Sequence, residues 1–142
     1  MKVNIKWVDD VMFLGETGSG HAVVMDGPPE GGGRNIGARP MEMLLLGLGG
    51  CTAYDVMHIL KKSRQSVTTC SVDIEAQRSD MVPKVFTDIH VHFNITGRGL
   101  KEEHIKRAIT LSADKYCSAS IMLGETAQIT HDYTITEVDE VS

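Results

Sequence analysis

Apolar and polar residues alternate in several stretches of this chain and switch to a helical spacing in two others. Val3, Ile5 and Trp7 alternate with polar neighbours, which predicts a half-buried strand, and His21 to Asp26 predicts another. Between them Met12, Phe13 and Leu14 form a short strand candidate, with Gly15 to Gly20 as its turn. Asp26 to Arg39 holds two prolines and five glycines and reads as loop. Pro40 suits the first position of a helix that continues through Met41 to about Arg64. Val67 to Arg78 puts Cys70, Val72, Ile74 and Ala76 on one face, and Val85 to Ile95 turns Val85, Ile89, Val91, Phe93 and Ile95 inward. Ser79 to Lys84, with Pro83, joins these strands as a hairpin. From Lys101 the spacing changes to Ile105, Ala108, Ile109, Ser112, Tyr116, Ala119 and Leu123, a helical stripe. Ala127 to Val138 closes the chain with a further strand. The succession predicts an α+β fold.

Composition narrows the class. A chain of 142 residues with 42% apolar content can bury one sizeable core, so a single domain over 1–142 is expected. The net charge of −5 leaves no basic stripe to displace counterions from phosphates, which excludes nucleic acid as a partner. The segment Met1 to Trp7 lacks the apolar core of a signal peptide, and the apolar run Met41 to Ala53 is too short to span a bilayer. No membrane association and a cytoplasmic location are expected. Three cysteines without CxxC spacing make neither a disulfide framework nor a zinc knuckle; in a reducing compartment they rest as thiols. No cofactor is called for.

Two of those cysteines carry the candidate chemistry. Cys51 and Cys117 each fall in a stretch that reads as a buried helix. A thiolate is a nucleophile whose peroxide product, a sulfenic acid, condenses with a neighbouring thiol to a disulfide. The pair therefore suits a peroxidatic and a resolving cysteine, while a buried cysteine can equally be an inert small hydrophobe. The helix that holds Cys51 has Gly47, Gly49 and Gly50 in its middle, each costing about 1 kcal/mol relative to alanine, so close approach by another element is expected to compensate. From Met43 to Leu48 it is apolar nearly all round, which predicts enclosure by protein, a second subunit included. Asp55 and His58 share a face with Cys51, four and seven positions on, and can be read as a base and its orienter; because His58 is about 10 Å further along the axis, a polar stripe toward solvent or a subunit is the expected role. His90 and His92 point the same way on a strand, as metal ligands do, but no third ligand neighbours them in sequence, so an exposed hairpin face is expected and no metal. Cys70 reads as core packing. The run Gly31-Gly32-Gly33-Arg34 lacks the Lys-Ser/Thr of a phosphate loop, and flexibility is its expected role. Met25, Met41, Met43, Met57 and Met122 suit an adaptable apolar pocket or plain core filling.

Arg39-Pro40-Met41-Glu42-Met43-Leu44-Leu45-Leu46-Gly47-Leu48-Gly49-Gly50-Cys51 resembles the Pro-led helix that ends in the reactive cysteine of the OsmC and organic hydroperoxide resistance family. Cys117 and Ser120, within Lys115-Tyr116-Cys117-Ser118-Ala119-Ser120, match that family's second motif, Cys-Pro-x-Ser. The resemblance covers the whole chain and is strongest to the YhfA-like branch. It implies antiparallel sheets around two long central helices in an intertwined homodimer, with strands 1–39 engaging the partner subunit. It also implies thiol-dependent reduction of organic and fatty-acid hydroperoxides at Cys51 and Cys117, with a dithiol as reductant. Three positions depart from the family pattern. The family's acid falls at Met41, and Glu42, one residue later, lies roughly opposite Cys51 at about 100° per residue. The family's arginine has its best counterparts in Arg34 and Arg39. Ser118 replaces the proline that follows the second cysteine. These departures keep open a second function, a non-catalytic protein of the same fold that binds an apolar acyl-like ligand.

Overall fold

The first alternating stretches build an antiparallel meander. The computed structural model describes residues 1–138, and the chain divides into two units, Met1–Leu46 and the remainder from Gly47. In the first unit β1 (Val3–Asp9), β2 (Met12–Thr17) and β3 (Ala22–Met25) pair in that order. β2 continues past Leu14 to Thr17 because Gly15 is a mid-strand residue, opposite Ile5 on one side and Val23 on the other. The turn expected from Gly15 therefore shrinks to residues 18–20. The expected half-burial of β1 does not occur among the described residues: Val3, Ile5 and Trp7 are 65%, 53% and 67% exposed.

The glycine-rich loop is pinned, contrary to the flexibility its composition suggests. Buried Asp26 accepts the backbone N–H groups of Gly27 at 2.8 Å and of Arg34 and Ile36 at 3.2 Å each. Gly33 is required by close approach, since a Cβ there would stand 2.1 Å from the Gly27 carbonyl oxygen. Beyond this loop α1 (Pro40–Lys62) opens with Pro40 in its first turn, and the Glu42 carboxylate accepts the Arg39 backbone N–H at 2.8 Å. That is the return half of a capping box, which satisfies a donor at the helix start.

α1 spans 23 residues, and one 18-residue window has mean hydropathy 1.4, so by length and composition it is a candidate membrane span. The apolar run Met41 to Ala53 is thus part of a longer helix, because Tyr54 and the residues after it continue α1. Its inner stripe is nonetheless that of a core helix: Leu48, Thr52, Val56 and Leu60 are wholly buried at four-residue intervals. Enclosure is one-sided among the described residues, with Leu46 62% and Tyr54 76% exposed.

The second unit pairs β4 (Ser66–Arg78) with β5 (Phe86–Arg98) as the expected hairpin. β6 (Gln128–Glu137) lies on the other side of β5 and runs parallel to it, so this sheet is mixed where antiparallel pairing was expected. A parallel partner needs a long crossover. α2 (Glu102–Leu111), a π turn over Ser112–Tyr116 and α3 (Ser118–Leu123) provide it. Among the described residues there is accordingly one long helix; the second helical stripe is broken into short pieces. Ile89, Val91, Phe93 and Ile95 form the buried face of β5 and share the core with α1 and with Ile105, Ala108 and Ile109 of α2. Val85 is 42% exposed and Phe86 takes the inward place, because a register shift opposite Gln77 and Arg78 inserts one residue and reverses the alternation.

Candidate active site

The second unit brings Cys51 and Cys117 together. Their sulfurs and a carboxylate oxygen of Asp55 all lie within 4.8 Å of one another. Cys51 and Asp55 stand one helical turn apart on α1, which places them on one face. Cys117 arrives by way of the π turn. Its backbone N–H donates to the Ser112 carbonyl oxygen at 2.8 Å, five residues back, and the extra residue moves the inward stripe from Tyr116 to Cys117. Tyr116 is turned out, 51% exposed, where the regular spacing had it inside. The Thr52 and Ser112 hydroxyls hydrogen-bond at 2.9 Å in the core, and the Ser112 hydroxyl also lies 3.4 Å from an Asp55 oxygen.

The two thiols differ in environment. Cys51 is half-buried, whereas Cys117 has no exposed surface. Burial pushes the Cys117 thiol up, and the neighbouring Cys51 thiol adds to this. Ser120 acts the other way through its hydroxyl and its backbone N–H; only the backbone N–H is well aligned, donating to Cys117 Sγ at 3.4 Å, and the hydroxyl has no aligned partner among the described residues. Cys117 caps α3, so Ser118 occupies the first helical position, where proline is tolerated for want of a needed N–H. The substitution at 118 therefore leaves the cap intact.

The other candidates have partners of their own. Arg34 pairs with Asp9 at 3.2 Å, Arg39 donates to Asn35 Oδ1 at 2.5 Å, and Glu42 caps α1. Cys70 is half-buried opposite Ile95, and burial pushes its thiol up. Of the glycines in α1, Gly49 meets a close neighbour, Ile74, whose Cδ1 would lie 3.2 Å from an added Cβ; Gly47 and Gly50 meet none among the described residues. His58 is exposed and stacks on Tyr54. Asp55 stands beside the two thiols, as the base reading of its spacing from Cys51 expects and the polar-stripe reading does not. A cleft of about 490 Å³ has Asp55 in its lining, with Ile59, Leu111 and Tyr116 and with Lys62 and Arg107. The two sulfurs and the carboxylate are also a donor set able to hold a soft metal ion.

The family model described as OsmC-like protein matches residues 31–132. The chain belongs to the OsmC-like family. It is 45% identical to Protein YhfA of Escherichia coli strain K12 over 138 residues, 95% of this chain and 98% of that protein. A hypothetical protein from Aquifex aeolicus VF5 superposes with TM-score 0.85 at 27% identity, over 97% of each chain. An organic hydroperoxide resistance protein from Legionella pneumophila shares the fold, with TM-score 0.72 at 16% identity over 94% of this chain and 95% of that one. Within this family, a closely spaced cysteine pair fits a redox role.

Proposed function

We propose that this protein is a cytoplasmic thiol-dependent peroxidase, reducing organic and fatty-acid hydroperoxides through Cys51 and Cys117. The observation that carries the reading is two sulfurs within 4.8 Å of each other, one half-buried and one fully enclosed. The accessible thiol meets peroxide first and the enclosed one resolves it. Asp55 takes the Cys51 proton. The thiolate attacks the distal peroxide oxygen, the O–O bond breaks, and the leaving alkoxide recovers a proton as the alcohol, leaving a sulfenic acid on Cys51. The Cys117 sulfur, giving up its own proton, then attacks the Cys51 sulfur and releases water as the disulfide forms. A dithiol reductant restores both thiols by two exchanges and becomes a disulfide itself.

The cleft that Asp55 lines supports the substrate class. Ile59, Leu111 and Tyr116 suit an apolar chain, and Lys62 and Arg107 suit a carboxylate carried on it. The same cleft favours the second reading, an acyl-like ligand held without turnover. Assembly is part of the proposal: a homodimer in which each subunit gives one α1, the two forming the pair of long central helices, with residues 1–39 engaging the partner. The exposed Val3, Ile5 and Trp7 and the open faces of Gly47 and Gly50 support it.

Turnover of cumene hydroperoxide with a dithiol, compared with hydrogen peroxide, tests the reading. Faster reduction of the organic peroxide, abolished in Cys51→Ser, is expected. Absence of turnover together with saturable binding of a fatty acid would favour the acyl-binding reading.

A further inference from the structure

The outward face of the mixed sheet carries a second cluster, remote in sequence from the cysteine pair. His90 and His92 alternate on β5 with the buried Ile89, Val91 and Phe93, so both imidazoles stand on the outer face. In sequence they have no third ligand beside them. The parallel pairing of β6 supplies one, because it sets Asp132 directly beside His92 and Thr130 beside His90. On the other flank, β4 sets Glu75 opposite His90 and Asp73 opposite His92. Asp132 Oδ1 lies 2.9 Å from His90 Nε2 and 2.5 Å from His92 Nδ1. One carboxylate oxygen is thus held between two imidazoles.

The remaining ring nitrogens are engaged. His90 Nδ1 lies 2.6 Å from the Thr130 hydroxyl and His92 Nε2 lies 3.0 Å from the Thr134 hydroxyl. Such outer partners fix ring orientation and tautomer in metal sites. Asp73 is steadied by Asn94, whose amide donates to it at 2.9 Å. A cleft of about 570 Å³ lies over the cluster, bounded by Asp73, Glu75, His90, His92 and Asp132, so an ion can enter and keep water ligands.

We propose that His90 Nε2, His92 Nδ1 and Asp132 Oδ1 form a binding site for a divalent first-row transition ion, with Glu75 or water completing the shell. The three donors already lie within 4.8 Å of one another. Ligand bonds of about 2.0–2.2 Å at tetrahedral angles put donors roughly 3.3–3.6 Å apart, so each imidazole nitrogen moves about 0.4–1.1 Å further from Asp132 Oδ1 than it now stands. Side-chain rotation at a half-exposed surface accommodates that. Two imidazoles with a carboxylate suit zinc, cobalt, nickel or copper, whereas calcium and magnesium prefer all-oxygen shells. The ion would bridge β5 to β6, adding a side-chain link to the backbone pairing of two strands that the chain connects through the helical crossover.

The test is titration of the apo protein, freed of any affinity tag, with Zn²⁺ by calorimetry and with Co²⁺ by visible absorption. A Cys51→Ser/Cys117→Ser background removes the sulfur donors from competition. One equivalent per chain is expected to bind in that background with micromolar Kd, weakened at least tenfold by His92→Ala and by Asp132→Asn. Co²⁺ should give d–d bands without thiolate charge transfer. Binding that survives both surface variants unchanged, binding that disappears with the two cysteines, or no binding below 1 mM would each overturn the proposal. Circular dichroism of each variant verifies that the fold is retained; these side chains are outside the core.

Discussion

The Thr52 hydroxyl and the Ser112 hydroxyl hydrogen-bond at 2.9 Å within the core, tying the α1 turn next to Cys51 to the π turn that precedes Cys117. This bond joins, inside the core, the two segments that carry the thiols. Ser112→Ala leaves the Thr52 hydroxyl buried and unpaired, and is expected to destabilise the protein by about 1–3 kcal/mol. Adding Thr52→Val removes the orphaned group, so the double variant should regain most of that loss. A denaturant double-mutant cycle measures this coupling, and strict additivity of the two substitutions would contradict it.

Asp26 makes the loop before α1 sensitive to acid. Its carboxyl is held below the usual carboxylate range, first by the Gly27 N–H and then by those of Ile36 and Arg34, against the opposing effect of burial. A depressed folded pKa contributes stability above the unfolded value of 3.8, and this is lost as pH falls through the folded value. Asp26→Asn should therefore lower Tm at pH 7, and that deficit should shrink as pH falls below 3.8 and vanish once pH has passed the lower folded value, where the parent carboxyl is itself protonated. Thermal melts across this range check it; a deficit that does not change with pH would contradict the charge-based account.

Assembly is testable on β1. Trp7 is 67% exposed beside Ile5 at 53%, an apolar edge that a second copy of the chain would cover. Sedimentation should show a dimer at micromolar concentration, shifted toward monomer or loss of fold by Ile5→Lys with Trp7→Asp. A stable folded monomer of the parent would remove the dimer from the account.

Much of the fold was legible in the sequence, and the exceptions share a cause. Alternation located the β4–β5 hairpin and the helix led by Pro40, since both are local patterns. One inserted residue defeated it twice: the bulge that exchanges Val85 for Phe86, and the π turn that exchanges Tyr116 for Cys117. Neither insertion leaves a periodic mark. Glu42 looked like a displaced acid because a capping carboxylate and a functional one have the same composition. Asp132 could not be matched to His90 and His92 because parallel pairing joins segments separated by a whole crossover. Gly33 read as flexible because backbone crowding against Gly27 has no side-chain signature.

The raised Cys117 thiol gives the resolving step a pH dependence. Burial keeps it protonated at neutral pH, so disulfide closure after oxidation should accelerate as pH rises toward and beyond its ordinary value of 9.0. Stopped-flow oxidation with hydroperoxide, followed by acid quench and thiol counting, resolves the two steps. A closure rate independent of pH would show that Cys117 does not limit it.

Peptide mapping after one equivalent of cumene hydroperoxide tests the central claim most directly, that Cys51 and Cys117 act as one redox unit. The account predicts an intrachain Cys51–Cys117 disulfide, replaced in Cys117→Ser by a trappable sulfenic acid on Cys51, with Cys70→Ser behaving as the parent. Both thiols remaining free for hours in a folded protein, or a disulfide that instead joins Cys70, would contradict it.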